Sequence, residues 1–149
     1  MATKCSKLRL QLIGQQAFGA DVFKKLLTLK DNCEIVGVSA PQPTEKFVDP
    51  LWKAATEAAQ GMQMYVCDTK SIGQSEDVKA KWKALDADLC VLAFVTDILP
   101  DEVLQHPKKG SIQYHPSLLP LHRGMRYREM KFGLYFFLKK KKTVRSIGQ

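Results

Sequence analysis

The run Asp88-Leu89-Cys90-Val91-Leu92-Ala93-Phe94 is the most apolar stretch of the chain. It has the length of a strand, and a strand without a polar face must be covered on both sides. Such strands belong to parallel sheets flanked by helices. This one run therefore directs the chain toward a layered α/β architecture.

The residues before it supply the other layers. Leu8 to Ile13 alternates and then ends apolar, as a strand entering a sheet does. Gly14 to Gly19 reads as a turn. Ala20 to Leu29 is an amphipathic helix with Val22, Phe23, Leu26 and Leu27 on one face. Glu34 to Ser39 forms the second strand. Pro41 to Phe47 is a loop, and a helix follows with Asp49 as N-cap and Pro50 at its first position. Gly61 is its stop. Met64 to Cys67 makes a third strand. Asp77 to Leu85 makes a helix on which Trp82 is a core or rim anchor rather than a stacking platform. Pro100 opens a short helix, and Pro107 to Gly110 turns into a strand ending at His115. The order β-α-β-α-β-α-β-α-β predicts an α/β fold with a Rossmann-like parallel sheet and helices on both faces.

The first turn is no nucleotide site by its residues. A GxGxxG fingerprint needs glycine where Gln16 stands, and the second strand ends without an acidic residue for a ribose. A P-loop fails because Ala20-Asp21 follows Gly19. Gly14 and Gly19 are expected to permit close helix–strand packing.

Charge excludes one function class. The net charge is +8, yet residues 125–149 hold eight basic groups against Glu129, so the first 124 residues are nearly neutral. A nucleic-acid footprint needs basic groups spread over a face, so no specific nucleic acid is expected. No apolar run approaches the roughly 20 residues of a membrane span, and the start of the chain shows no secretory signal. Cys5, Cys33, Cys67 and Cys90 lack CxxC spacing. Buried reduced thiols are expected, with neither metal site nor disulfide frame, which fits a cytoplasmic setting.

Two loops converge at strand ends: Phe94 to Pro100 and Tyr114 to Gly124. Ligands in open α/β sheets sit outside the carboxyl ends of strands. From position alone, His115 is either a site residue or a solvated or capping histidine. The run His115-Pro116-Ser117-Leu118-Leu119-Pro120-Leu121-His122-Arg123-Gly124 decides more. It resembles the His-Pro-Ser-Leu-Leu-Pro-x-x-Arg-Gly signature of the folate-dependent formyltransferase family. Tyr114 before the histidine and the Ile13-Gly14-Gln15-x-x-Phe18-Gly19 run are similar to the hydrolase branch, the N-terminal domains of 10-formyltetrahydrofolate dehydrogenases.

The resemblance implies transfer or hydrolysis of the formyl group of 10-formyltetrahydrofolate, which enters as substrate, with no metal and no nucleotide. His115 would be the general acid/base, since a group titrating near neutrality suits proton traffic to the departing nitrogen. Gln113 takes the place of the family's asparagine, one methylene longer. Asp97, Ile98 and Leu99 take the position of the loop that grips the pterin through its backbone, core packing being the alternative for Ile98 and Leu99. Tyr114 borders the substrate. Arg123, with His122, meets the folate glutamate tail or is a solvated basic loop. Ser117 is at best a hydrogen-bonding loop residue.

The resemblance runs over residues 8 to 124 and then stops. The family's Asp-x-Gly-Leu-Asp-Thr-Gly run, with its catalytic aspartate, does not occur. Residues 1–124 are thus expected to be the family domain and 125–149 a divergent basic, aromatic tail. The domain would be incomplete on its C-terminal side, as in a truncated isoform that at most binds folate. Its sheet edge would be bare and open to self-association. The run Phe132 to Leu138 would either lie on an anionic membrane surface or serve as a makeshift strand on the exposed sheet. Formyl acceptor and oligomeric state stay open at this stage.

Overall fold

Leu12 and Ile13 set the plan of the molecule, because consecutive residues of a strand face opposite ways. Both are fully buried, Leu12 among Phe23, Ile35, Val38 and Leu51 on one side of the sheet and Ile13 among Ile72, Trp82, Leu92 and Val103 on the other. The computed structural model describes residues 6–115, 133–137 and 145–147.

The elements follow as β1 (Leu8–Gly14), α1 (Gln16–Thr28), β2 (Cys33–Ala40), α2 (Pro50–Ala59), β3 (Tyr65–Asp68), α3 (Thr69–Gln74), α4 (Glu76–Ala84), β4 (Leu89–Ala93), α5 (Asp101–Leu104), β5 (Ser111–His115), β6 (Gly133–Phe137) and β7 (Arg145–Ile147). The sheet order is β3-β2-β1-β4-β5-β6-β7. The first five strands in that order run parallel, and β6 and β7 are antiparallel additions. The chain winds outward from β1 in one direction and then restarts at β4 in the other, which makes a switch point between β1 and β4. Residues of α1 and α2 pack into the core on one face, and those of α3, α4 and α5 into the core on the other. This is the Rossmann-like α/β architecture expected.

The α2 cap forms as its residues dictate. Asp49 Oδ1 accepts from Leu51 N at 2.8 Å, Pro50 takes the first helical position, and Gly61 N donates to the Ala58 carbonyl at 3.1 Å. Trp82 is in the core at 1% exposure. It lies against Gly37, where a Cβ would stand 3.0 Å from Trp82 Cζ3 and 2.6 Å from Leu85 Cδ1. The glycine in the middle of β2 is what lets the indole approach the sheet.

Three features differ from the reading of the sequence. Helix α1 begins at Gln16, not Ala20, so the turn shrinks to Gln15; Asp49 Oδ2 accepts from Gln16 N at 2.8 Å and holds the first turn in place. Helix α3 was not expected. It is too short for an apolar period, and its signal is the cap, since Asp68 Oδ2 accepts from Ser71 N at 3.2 Å. In β4, Cys90, Leu92 and Ala93 are buried while Leu89 and Val91 are only half-buried.

Burial of the cysteines is as expected among the described residues: Cys33, Cys67 and Cys90 are buried and unbridged. Burial pushes the Cys67 and Cys90 thiols up to about 12. Cys5 lies outside the described residues.

The edge of β5 is not bare. Strand β6 pairs antiparallel with it, Ile112 opposite Phe136 and His115 opposite Gly133, and β7 pairs with β6. Residues 133–137 thus take the strand alternative rather than the membrane one. An apolar, aromatic segment satisfies the unpaired backbone of an exposed edge, which is the strongest local demand on it. Among the described residues, no helix is long and apolar enough to cross a membrane.

Candidate functional site

The site is built where β1 and β4 end side by side. Gly14 is opposite Ala93 in the pairing register, and a Cβ on Gly14 would stand 2.5 Å from the Ala93 carbonyl oxygen. Gly19 serves the same packing, with Leu51 Cδ2 at 3.1 Å from its would-be Cβ. Beyond Gly14, Gln15 N donates to that same Ala93 oxygen at 3.2 Å.

Past Ala93 the chain turns sharply. Phe94 has φ 62°, the left-handed region that a bulky residue rarely occupies. The segment Val95 to Pro100 then crosses the end of the sheet. Its near end is held by the Gln15 side chain, whose Nε2 donates to Thr96 Oγ1 at 3.2 Å. Its far end runs into α5, which is tied down by ion pairs. Glu102 bridges Lys79 at 2.8 Å and Lys83 at 2.7 Å, both on α4, and these bonds hold its carboxyl down to about 2.

On this loop Asp97 and Leu99 are half-buried and Ile98 is 97% exposed. Leu99 packs against the core with Val95 and Leu104. Core packing therefore holds for Leu99 and not for Ile98, whose side chain stands free at the sheet's carboxyl end.

Strand β5 delivers the other half. Its register places Gln113 opposite Leu92 and Tyr114 opposite Ala93, so His115 is the next residue at the sheet end where Phe94 turns. Gln113 is half-buried. The structure thus brings Asp97, Ile98, Leu99, Gln113, Tyr114 and His115 to one end of two adjacent strands. Ser117, His122 and Arg123 lie outside the described residues.

The nucleotide question gets a structural answer at Gln16. In the place where a fingerprint needs glycine, Gln16 adopts φ 59°, the conformation a glycine would take. Its N–H, which would face a phosphate at a helix N-terminus, is given instead to Asp49 Oδ2. Asp49 is 2% exposed and also caps α2, so one buried carboxylate serves both helix starts. A phosphate here would have to displace it. Among the described residues, no group of three or more His, Cys, Asp or Glu is arranged to hold a metal ion.

Sequence reasoning missed the Gln15–Thr96 bond and the left-handed Phe94. The partners of the bond are 81 residues apart, and no local pattern marks a phenylalanine for positive φ.

The fold and the paired strand ends define a doubly wound α/β protein with its switch point between β1 and β4. The chain belongs to the formyl transferase family, whose model matches residues 8–132. It is 39% identical over 118 residues to the cytosolic 10-formyltetrahydrofolate dehydrogenase of Homo sapiens, a match covering 78% of this chain and 13% of that protein. It is 32% identical over 117 residues to the methionyl-tRNA formyltransferase of a Wolbachia strain, covering 78% of this chain and 39% of that one. The chain thus spans a small part of the length of these relatives. Among solved structures, glycinamide ribonucleotide transformylase 1 of Symbiobacterium toebii superposes with a TM-score of 0.66 at 12% identity, covering 100% of this chain and 78% of that one. A formyltetrahydrofolate deformylase of Pseudomonas syringae gives 0.65 at 17% identity, covering 97% and 53%. The structural likenesses bear on the fold.

Proposed function

We propose that this chain binds 10-formyltetrahydrofolate at the carboxyl ends of β4 and β5 and acts on its formyl group by transfer or hydrolysis. The observation that supports the reading is the Ala93–Tyr114 register, by which β4 and β5 end side by side, the one leading into residues 94–99 and the other ending at His115. Attack on the formyl carbon builds negative charge on its oxygen and leaves a proton to be moved to the departing ring-substituted nitrogen. His115 is the general acid/base for that proton. The Gln113 side chain amide is the donor toward the oxyanion. Backbone groups of Asp97, Ile98 and Leu99 hold the pterin, Tyr114 borders it, and Arg123 meets the glutamate carboxylates. The reaction as proposed uses no metal and no nucleotide.

A second reading is folate binding without turnover. It rests on the 149 residues holding no Asp-x-Gly-Leu-Asp-Thr-Gly run after the signature. On this reading residues 1–124 are the family domain and 125–149 a divergent tail. On either reading the chain acts in the cytoplasm and would self-associate through an exposed sheet edge.

Release of formate from 10-formyltetrahydrofolate, compared between the chain and its His115→Ala variant, separates the two. Turnover lost with the substitution supports the enzyme. Folate bound by both proteins without turnover supports the second reading. No folate bound by either protein refutes both.

A further inference from the structure

We propose that Gln15 is a positioning residue that fixes the course of the Val95–Leu99 loop by clamping the strained turn at Phe94 from both sides. The inference deepens the folate reading above and takes its functional consequence from it.

Gln15 stands before α1 with an extended backbone (φ −161°) and is almost completely buried. That is the N-cap place, yet its side chain makes no capping bond. It reaches across the switch point instead. Its backbone N–H bonds Ala93 O, the residue before Phe94, and its amide bonds Thr96 Oγ1, two residues after it. The amide oxygen also lies 3.4 Å from the same hydroxyl.

Phe94 at φ 62° is the residue between these two anchors. A bulky residue in the left-handed region is strained and persists only where its surroundings over-determine it. Gln15 supplies that determination. The turn at Phe94 decides which way residues 95–99 leave the sheet, and those residues include the ones assigned to the pterin. Gln15 touches no substrate in this scheme; it acts through the loop.

The test uses the full chain with Gln15→Met, which keeps the side-chain length and removes the amide, with Thr96→Val, and with Thr96→Ser, which keeps the hydroxyl. Two readouts are taken: amide hydrogen exchange at 94–99 without ligand, and affinity for 5-formyltetrahydrofolate, a stable isomer of the proposed substrate. Loss of one hydrogen bond predicts exchange faster at 94–99 and affinity about fivefold to tenfold weaker in Gln15→Met and Thr96→Val. Thr96→Ser restores both, and the Gln15→Met/Thr96→Val double variant is no worse than either single one. Unchanged exchange at 94–99 in Gln15→Met overturns the clamp, whatever the folate result. Faster exchange confined to 94–99, with no folate bound even by the unsubstituted chain, sustains the clamp and refutes the folate reading. Equal loss of protection across the whole sheet shows a merely structural role and overturns the proposal.

Discussion

Gly14 and Ala93 approach so closely that a Cβ on Gly14 would stand 2.5 Å from the Ala93 carbonyl oxygen. The obstacle is backbone, so no side-chain rotation relieves it. The same oxygen accepts from Gln15 N. Gly14→Ala must therefore push β1 and β4 apart at their carboxyl ends. Overpacking of this kind costs about 1–3 kcal/mol, and a urea unfolding midpoint lowered accordingly is the expected result.

Asp49 satisfies two helix starts with one carboxylate, one oxygen to Gln16 N and the other to Leu51 N. Asp49→Ala leaves both N–H groups without that acceptor. Each lost cap costs about 0.5–2 kcal/mol, so the loss exceeds that at Ser75, which caps α4 alone. Asparagine keeps one acceptor oxygen. Denaturant unfolding should rank Asp49→Ala below Asp49→Asn, and both below the unsubstituted chain.

Glu102 sets an acid limit. Its hydrogen bonds to Lys79 and Lys83 lower its carboxyl from an ordinary 4.5 to about 2. A group depressed on folding stabilises the protein above its unfolded value, and that contribution is lost as pH falls through the folded one. The α4–α5 tie should therefore weaken between about pH 4.5 and about pH 2. Melting temperature against pH, for the chain and for Glu102→Gln, checks it: the variant should show a flatter profile over this interval.

Cys67 and Cys90 should be silent thiols. Burial raises both to about 12, so almost no thiolate exists at pH 8. In a Cys5→Ser/Cys33→Ser background, an aromatic disulfide reagent should label these two positions only as fast as the sheet opens. Labelling that accelerates with urea in step with unfolding is the expected outcome.

Much of this structure is written locally. Asp49-Pro50 states its cap, the β4 run states its strand, and the His115 signature states its strand end and its family. What escaped is non-local. Helix α1 starts four residues early because a carboxylate from before α2 holds Gln16 N. Strand β6 forms because β5 offers an unpaired edge, a demand that no property of residues 133–137 states alone. At the site, the strand-end positions were legible and the clamp was not, since Gln15 and Thr96 meet only after β1 and β4 pair. Helix α3 stayed hidden for a different reason: six residues are too few to show a period.

The central claim is that folate sits where β4 and β5 end. The direct test is backbone amide chemical-shift mapping of the chain titrated with 5-formyltetrahydrofolate. Shifts concentrated at residues 94–99 and 113–115, with the amino-terminal ends of β1 and β2 near Arg9 and Glu34 unmoved, are predicted. Shifts centred on the open groove lined by Arg9, Glu34, Met64 and Tyr65, with 94–99 and 113–115 unmoved, would contradict it.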